Sequence, residues 1–434
     1  MERFYVSQLK IGKEVLLRGW VYDIRELSKM MFVLLRDITG VVQCVIKDED
    51  LIKELSNLRL ESVVEIKGKV KKAEVKAEFA RQDIEVEVLS LKLLNKAEEL
   101  PIQVNEKAAK SELSTKLDWR SLSLRNLKSQ AIFKIQAKII EGMREYLESN
   151  GFIHVFTPSL IGVASESGSE VFEVKYFETK AYLRQDPQLH RQLSVLGGIE
   201  KIYEIGPSWR AEKSNTIKHL TEHRVCAVEM AFIDSEEDIM RMEEQVIISA
   251  LKKVIEKCKD ELKILGVKIT IPKSPFLEIR FPDIYEILSE MGKNISFGDS
   301  LDSEAEKLIW QYIQKRYPST EFYFINKFPF VEKPFYVYCE ENEKYARSTD
   351  LYYKGVELSS GGQREHRYFK LLKNINERNI PKKSVEWFIK FFKFGAPPHG
   401  GFAIGIERLT MTLLNLDNIR EAVLFPRDPN RLVP

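Results

Sequence analysis

Residues 206–223 read Gly206-Pro-Ser-Trp-Arg-Ala-Glu-Lys-Ser-Asn-Thr-Ile-Lys-His-Leu-Thr-Glu-His. This stretch follows Tyr203-Glu-Ile-Gly and leads into Val225-Cys-Ala-Val-Glu-Met-Ala-Phe, two segments expected to be strands. Side chains alternate along a strand with a period of two, so a strand carried through Trp209 puts Arg210 and Glu212 on one face. The polar loop beyond carries Lys213, Lys218 and His219. An arginine fixed in this way can clamp an α-phosphate bidentately, while loop cations hold β- and γ-phosphates. The competing reading is a surface hairpin with solvated charges.

Two segments nearer the C-terminus suit the same task. In Gly400-Gly-Phe-Ala-Ile-Gly-Ile-Glu-Arg-Leu-Thr-Met the glycines permit close backbone approach. Arg408 falls on the first turn of the following helix, placed for a terminal phosphate or, more plainly, for a helix-surface ion pair. In Asp350-Leu-Tyr-Tyr-Lys-Gly-Val-Glu, the carboxylates Asp350 and Glu357 are hard oxygen ligands of the kind Mg²⁺ takes together with phosphates. A strand pair with exposed acids is the alternative there. Leu358-Ser-Ser-Gly-Gly-Gln-Arg-Glu-His then surrounds Arg364 with small residues, leaving room for it to grip a small carboxylate. No Walker loop is present, and no Gly-x-Gly-x-x-Gly precedes a helix, so ATP would be held without the common phosphate loop.

Around these segments the chain divides into regions. Val15–Tyr22, Met31–Asp37, Val41–Ile46, Ser62–Val70 and Asp83–Ser90 alternate as short strands, with a helical insertion near Asp50 to Leu58. That spacing suits a five-stranded oligonucleotide-binding barrel, or else an unrelated small β-domain. A polar stretch without sustained periodicity follows. An amphipathic helix from about Ser129 to Ser149 then stops at Asn150-Gly151. Beyond it strands and helices alternate irregularly, which favours α+β with an antiparallel sheet over a doubly wound fold. The expected domains are 1–98 (barrel), 99–125 (hinge) and 126–434 (catalytic).

Charge and cysteine usage set bounds on partners and compartment. The 434 residues carry a net charge of +2, so any nucleic-acid surface must be a local patch. Cys44, Cys226, Cys258 and Cys339 are widely spaced and form no Cys-x-x-Cys pair, which suggests reduced structural thiols. The first residues lack an apolar signal core, and no uncharged apolar run approaches membrane-spanning length. These features lead to the expectation of a cytoplasmic protein with no membrane association.

Taken together, the motifs resemble those of class II aminoacyl-tRNA synthetases. Trp209-Arg-Ala-Glu, His219-Leu-Thr-Glu and Val228-Glu-Met-Ala-Phe resemble motif 2 of that family; Gly401-Phe-Ala-Ile-Gly-Ile-Glu-Arg resembles motif 3. Gly151-Phe-Ile-His-Val-Phe-Thr-Pro-Ser-Leu, with Pro158, is similar to motif 1, the dimer-interface element. Gly19-Trp-Val-Tyr-Asp-Ile-Arg, Phe32, Arg36-Asp and Gly40-Val-Val-Gln are similar to the anticodon-binding barrel of subclass IIb. Within that subclass, Ser359-Ser-Gly-Gly-Gln-Arg-Glu-His and Gln185-Asp-Pro-Gln-Leu-His-Arg-Gln resemble segments of the aspartyl enzymes of archaeal and eukaryotic type.

The resemblance implies activation of L-aspartate by ATP and transfer to tRNA(Asp), with tRNA(Asn) as a second acceptor to consider, by a homodimer using Mg²⁺. It assigns the aspartate contacts to Glu166, Gln188, Arg191, Ser360 and Arg364. ATP would meet Arg210, Glu212, Lys218, His219, Leu220, His223, Glu357 and Arg408, and the metal Asp350, Glu357 and Ser360. Arg25, Phe32 and Gln43 would bind the anticodon. The alternatives are asparaginyl-tRNA synthetase and an asparagine-forming paralogue working through aspartyl-adenylate; the paralogues usually lack the barrel.

Four positions depart from the family pattern. His223 stands where a phenylalanine usually stacks on adenine, Ala227 replaces an acid near the substrate ammonium, Asp186 replaces a serine, and Ser167 replaces a glycine. One reading is that the acid missing at 227 reappears at 186.

Overall fold

The computed structural model describes residues 2–27, 29–105, 111–163, 171–340 and 343–434. The chain forms two compact units, Met1–Asn126 and Leu127–Pro434.

In the first unit β1 (Glu14–Leu27), β2 (Met30–Asp37), β3 (Gly40–Ile46), β4 (Val63–Lys72) and β5 (Ala80–Asn95) close into a barrel in the order β1-β2-β3-β5-β4. Every neighbouring pair is antiparallel except β3–β5. Alternation explains the inside: Val15, Leu17, Val33, Leu35, Val42 and Cys44 face one buried core. The short α1 (Glu49–Glu54) is capped by Asp48, whose carboxylate accepts from the amides of Asp50 and Leu51. The 99–125 segment belongs to this unit and carries two short helices, α2 (Leu113–Asp118) and α3 (Arg120–Ser123). It is tied down by Arg125, which donates to Glu61 at 3.2 Å beside the buried Arg36–Glu61 pair.

The second unit opens with α4 (Leu127–Ser149), which ends where Gly151 takes a positive φ of 80°. Then come β6 (Ile153–His154), β7 (Leu160–Ile161), β8 (Glu173–Tyr176), β9 (Thr179–Leu183), α5 (Gln188–Leu196), β10 (Lys201–Trp209) and β11 (Glu222–Ala231). The next elements are α6 (Glu236–Lys257), α7 (Lys259–Leu265), β12 (Leu277–Arg280), α8 (Phe281–Glu290), α9 (Ser303–Arg316) and β13 (Phe322–Asn326). The chain finishes with β14 (Ser348–Tyr353), β15 (Val356–Arg364), α10 (Tyr368–Glu377), α11 (Lys382–Ile389), β16 (His399–Gly405) and α12 (Ile406–Leu413).

Eight strands make one sheet in the order β12-β13-β14-β15-β16-β11-β10-β6, and β7-β9-β8 form a small second sheet. The large sheet is antiparallel apart from its outermost pairs, β10–β6 and β12–β13. The α+β expectation therefore holds. One local expectation needs correction: β10 ends at Trp209, so Arg210 and Glu212 lie in the loop that follows. Only a hydrogen bond from the Arg210 amide to the Thr221 carbonyl extends the hairpin.

Alternation in β11 divides the molecule. Cys226, Val228 and Met230 point into the main core with α4 and α6, while Val225, Ala227 and Glu229 take the opposite face. The two helices cross closely at Gly142, where a Cβ would stand 2.8 Å from the Ala250 Cα. α6 starts with a capping box, Ser235 accepting from the Glu237 amide and Asp238 returning to the Ser235 amide.

α6 also carries Glu243 into the core beneath the sheet, bonded to the Ser359 hydroxyl. Burial pushes the Glu243 carboxyl up to about 8. A carboxyl whose folded pKa exceeds its unfolded one takes up a proton on folding. Its effect is least unfavourable below the unfolded value of 4.5, and stability is lost as pH climbs towards 8. Glu243→Gln should flatten that decline by a few kcal/mol, measured as denaturant stability between about pH 5 and pH 8.

Candidate active site

A cleft of about 270 Å³ opens on the face of the large sheet opposite α4 and α6. Its walls include Gln188, Arg210, Glu212, Lys218, His219, Leu220, His223, Glu357, Ser360, Arg364 and Arg408, bringing together most of the residues the sequence singled out.

One end is organised around Arg364, the last residue of β15. Its Nε donates to Glu229 Oε1 at 3.1 Å and its Nη2 to Gln188 Oε1 at 3.1 Å. Gln188 begins α5 and donates its own Nε2 to Glu229 Oε2 at 2.9 Å. Glu229 is fully buried, and a buried carboxylate is tolerated when a cation and further donors satisfy it. Sequence reasoning did not assign Glu229. The available signal was a single acid in the otherwise apolar stretch Val225–Phe232, on the same face as Val225.

Arg191 does not behave as expected for a substrate contact. It lies one turn along α5, is 1% exposed and is not among the cleft walls. Its Nη2 donates to both oxygens of Asp186, each at 2.7 Å, and to Gln188 Oε1 at 3.0 Å. Behind it, Arg184 donates to Glu204 at 2.8 Å, and Glu204 accepts from the Thr157 hydroxyl. Arg184, Arg191 and Arg364 are thus matched by Asp186, Glu204 and Glu229. Asp186, by contrast, does line the cleft.

The other end is richer in cations. Arg210, half-exposed, meets Glu212 at 3.4 Å. Arg408, on the first turn of α12 as expected, donates to the Glu357 carbonyl at 2.9 Å and approaches Oε1 at 3.4 Å. His219 is shifted downward by burial and by Arg408, Arg210 and Lys218, against the pull of Glu212. Enclosure, reinforced by Arg210 and Arg408, takes His223 down to about 3, so its ring is neutral at physiological pH.

Asp350 and Ser360 face each other across β14 and β15. Asp350 is buried beside Lys333 at 3.0 Å, and its Oδ1 has no hydrogen-bond partner. Glu357 is pushed upward by enclosure and by the neighbouring Asp350, with Arg408 and Lys333 opposing. Among the described residues no group of three or more acids, histidines or cysteines could hold a metal unaided. Two carboxylates, one with an unpartnered buried oxygen, fit an ion that takes its remaining ligands from phosphates and water. Lys333 is a cleft cation that sequence reasoning passed over.

Glu166 and Ser167 lie outside the described residues. Arg25, Phe32 and Gln43 are on the barrel's outer face in the other unit; Arg25 pairs with Phe32 in register, and Gln43 lies opposite Leu34 on the next strand. Pro158 is exposed, near the edge strand β6. All four cysteines are buried and free, and among the described residues no helix is long and apolar enough to cross a membrane.

A barrel of oligonucleotide-binding type and an antiparallel-rich sheet bearing this cleft define a class that the comparisons identify. A family model described as tRNA synthetases class II (D, K and N) matches residues 112–429, and one described as OB-fold nucleic acid binding domain matches residues 15–94. The chain belongs to that family of class II aminoacyl-tRNA synthetases, which are ligases.

Among its relatives, the aspartate–tRNA(Asp) ligase of Pyrococcus furiosus is 41% identical over 432 residues, covering 98% of this chain and 97% of the relative. The aspartate–tRNA(Asp/Asn) ligase of Aeropyrum pernix is 39% identical, with 98% and 96% covered. The crystal structure of asparaginyl-tRNA synthetase from Pyrococcus horikoshii complexed with asparaginyl-adenylate superposes with a TM-score of 0.92 at 34% identity, covering 100% of both chains.

Removing the counter-charge from Arg364 tests the buried pair. Glu229→Gln should cost about 3–5 kcal/mol of stability, since it leaves an uncompensated buried guanidinium. Urea denaturation checks this.

Proposed function

We propose that the chain is an aspartate–tRNA ligase that activates L-aspartate with ATP and transfers it to the 3′ end of tRNA. The observation that carries this reading is Arg364, a guanidinium facing the cleft from a framework that holds it rigid. Such a group suits a side-chain carboxylate, and a site built around it penalises a neutral isostere by leaving the charge less well paired.

The α-carboxylate of aspartate attacks the α-phosphorus of ATP in line and pyrophosphate leaves. Arg210 would hold the α-phosphate, and His219 and Arg408 the γ-phosphate, where charge accumulates. His223 offers a flat neutral ring for adenine, with Glu212, Lys218 and Leu220 alongside. Asp350, Glu357 and Ser360 would hold Mg²⁺, whose charge helps neutralise the phosphates. The terminal ribose hydroxyl of tRNA then attacks the adenylate carbonyl, the mixed-anhydride bond breaks and AMP leaves, so no protein nucleophile is required. On the barrel, Phe32 would stack on an anticodon base, with Arg25 and Gln43 hydrogen-bonding beside it. We place this reaction in the cytoplasm.

Purified chain should charge tRNA(Asp) with aspartate and not with asparagine. Aspartate on tRNA(Asn) as well would extend the acceptor range, as the name of the Aeropyrum pernix relative suggests for that protein. Arg364→Gln should lower kcat/KM for aspartate by about 100-fold or more in ATP–pyrophosphate exchange. Preferential activation of asparagine would transfer the assignment to the asparaginyl reading.

We further propose a homodimer joined through the motif 1 region around Pro158. Ile153, Phe156 (79% exposed) and Leu160 present apolar surface on or beside strands β6 and β7. Phe156→Glu should shift sedimentation from dimer to monomer; an unshifted dimer would exclude this surface.

A further inference from the structure

The amino acid to be activated carries an α-ammonium as well as its carboxylates, and that cation needs an acceptor inside the cleft. Gln188, at the Arg364 end, is not free for the task. Its amide oxygen already accepts from Arg364 at 3.1 Å and Arg191 at 3.0 Å, and its amide nitrogen donates to Glu229. An amide oxygen has two lone pairs, and two guanidinium donors engage both. Nor does β11 supply an acid beside the cleft, since Ala227 occupies the position between Val225 and Glu229 on that face. Glu229 is fully buried and engaged with Arg364.

The described carboxylates that line the cleft are Asp186, Glu212, Glu357 and Glu407. Three are paired with cations away from Arg364: Glu212 with Arg210, Glu357 with Arg408 and Glu407 with Arg224. Asp186 is instead joined to Arg364 through Arg191 and Gln188. Its side chain is 26% exposed, and both oxygens accept from one nitrogen of Arg191. An ionised carboxylate has about four acceptor positions, so Asp186 keeps lone pairs for a ligand. Arg191 is sealed away, with Nε and Nη1 lacking hydrogen-bond partners and Nη1 4.0 Å from Glu204.

We infer that Asp186 is the residue that accepts the substrate α-ammonium, and that Arg191 is a positioning residue holding the Asp186 carboxylate towards the cleft. This rests on the amino-acid-activating reading above and specifies how the substrate is oriented. Arg364 takes the side-chain carboxylate and Asp186 the ammonium. The side-chain carboxylate and the α-ammonium of aspartate thus meet opposite charges linked through Gln188, and the α-carboxylate is left for the reaction with ATP.

Succinate, which is aspartate without its amino group, tests the inference. Binding of L-aspartate and succinate to the full chain is compared by calorimetry for wild type, Asp186→Asn and Asp186→Glu. ATP binding on the same samples reports whether the fold survives. Wild type should prefer aspartate, and Asp186→Asn should reduce that preference by about 10- to 100-fold, the range for a hydrogen bond to a charged group. Succinate binding should be unchanged or tighter in that variant, and Asp186→Glu should recover part of the preference. An unchanged aspartate-to-succinate ratio in Asp186→Asn would overturn the inference, because a purely structural role weakens both ligands alike. A wild-type chain that binds neither ligand would instead reject the substrate reading, and this inference with it.

Discussion

Burying a guanidinium is costly unless a counter-charge reaches it, and Arg364 is reached by Glu229 from two strands away. β16 runs between them, with Gly401 opposite both Glu229 and Gly362 in the ladders. A Cβ on Gly401 would stand 2.3 Å from the Glu229 carboxylate and 1.9 Å from the Val228 carbonyl oxygen. The glycines at this point are therefore not turn residues. They leave the space in which a carboxylate lies across a strand, and they fix which residue of β11 sits opposite which residue of β15. The N-terminus of α5 is placed by the same pair, since Gln188 must bond both partners.

The sheet has two opposite duties, and strand periodicity separates them. From Cys226 onward the even-numbered residues of β11 enter an apolar core where substitutions would cost cavities or strain. Odd-numbered ones face the cleft, and there the strand carries Val225, Ala227 and Glu229. A one-residue slip would exchange the two sets, burying Glu229 among the isoleucines of α4 and α6. Register and active-site electrostatics are therefore one constraint.

Much of this could be read in the sequence, for identifiable reasons. Strand alternation and short polar turns gave away the barrel, and the Asn150-Gly151 stop marked the end of α4. The phosphate-binding candidates shared glycine-flanked or loop positions that the fold brings together. What stayed hidden were the partners across the sheet. Nothing in sequence spacing tells that Arg191 turns back onto Asp186, five residues earlier, instead of facing the cleft. The strand from Tyr203 was extended in expectation past Trp209, because polar residues in a hairpin loop mimic alternation. The lack of periodicity in 99–125 suggested a hinge, yet Arg125 joins a buried ion pair with Glu61 in the barrel unit.

The two ends of the cleft differ in a way that suits the substrate groups proposed for each. At the Arg364 end, each arginine has a carboxylate of its own, so the charges there are matched at rest and aspartate, with two carboxylates and one ammonium, brings one net negative charge. At the Arg408 end, Arg210, Lys218 and Arg408 face Glu212 and Glu357, and burial shifts both His219 and His223 towards their neutral forms. Those acids would repel a triphosphate and weaken the cations beside them if they acted alone. Asp350 compounds the difficulty, since it already pushes Glu357 upward. A divalent cation held by these carboxylates would turn the same groups from competitors into ligands. Each of these acids has a cation beside it at rest, and the buried Asp350 Oδ1, which has no partner, is the feature that a metal-bound polyphosphate would explain.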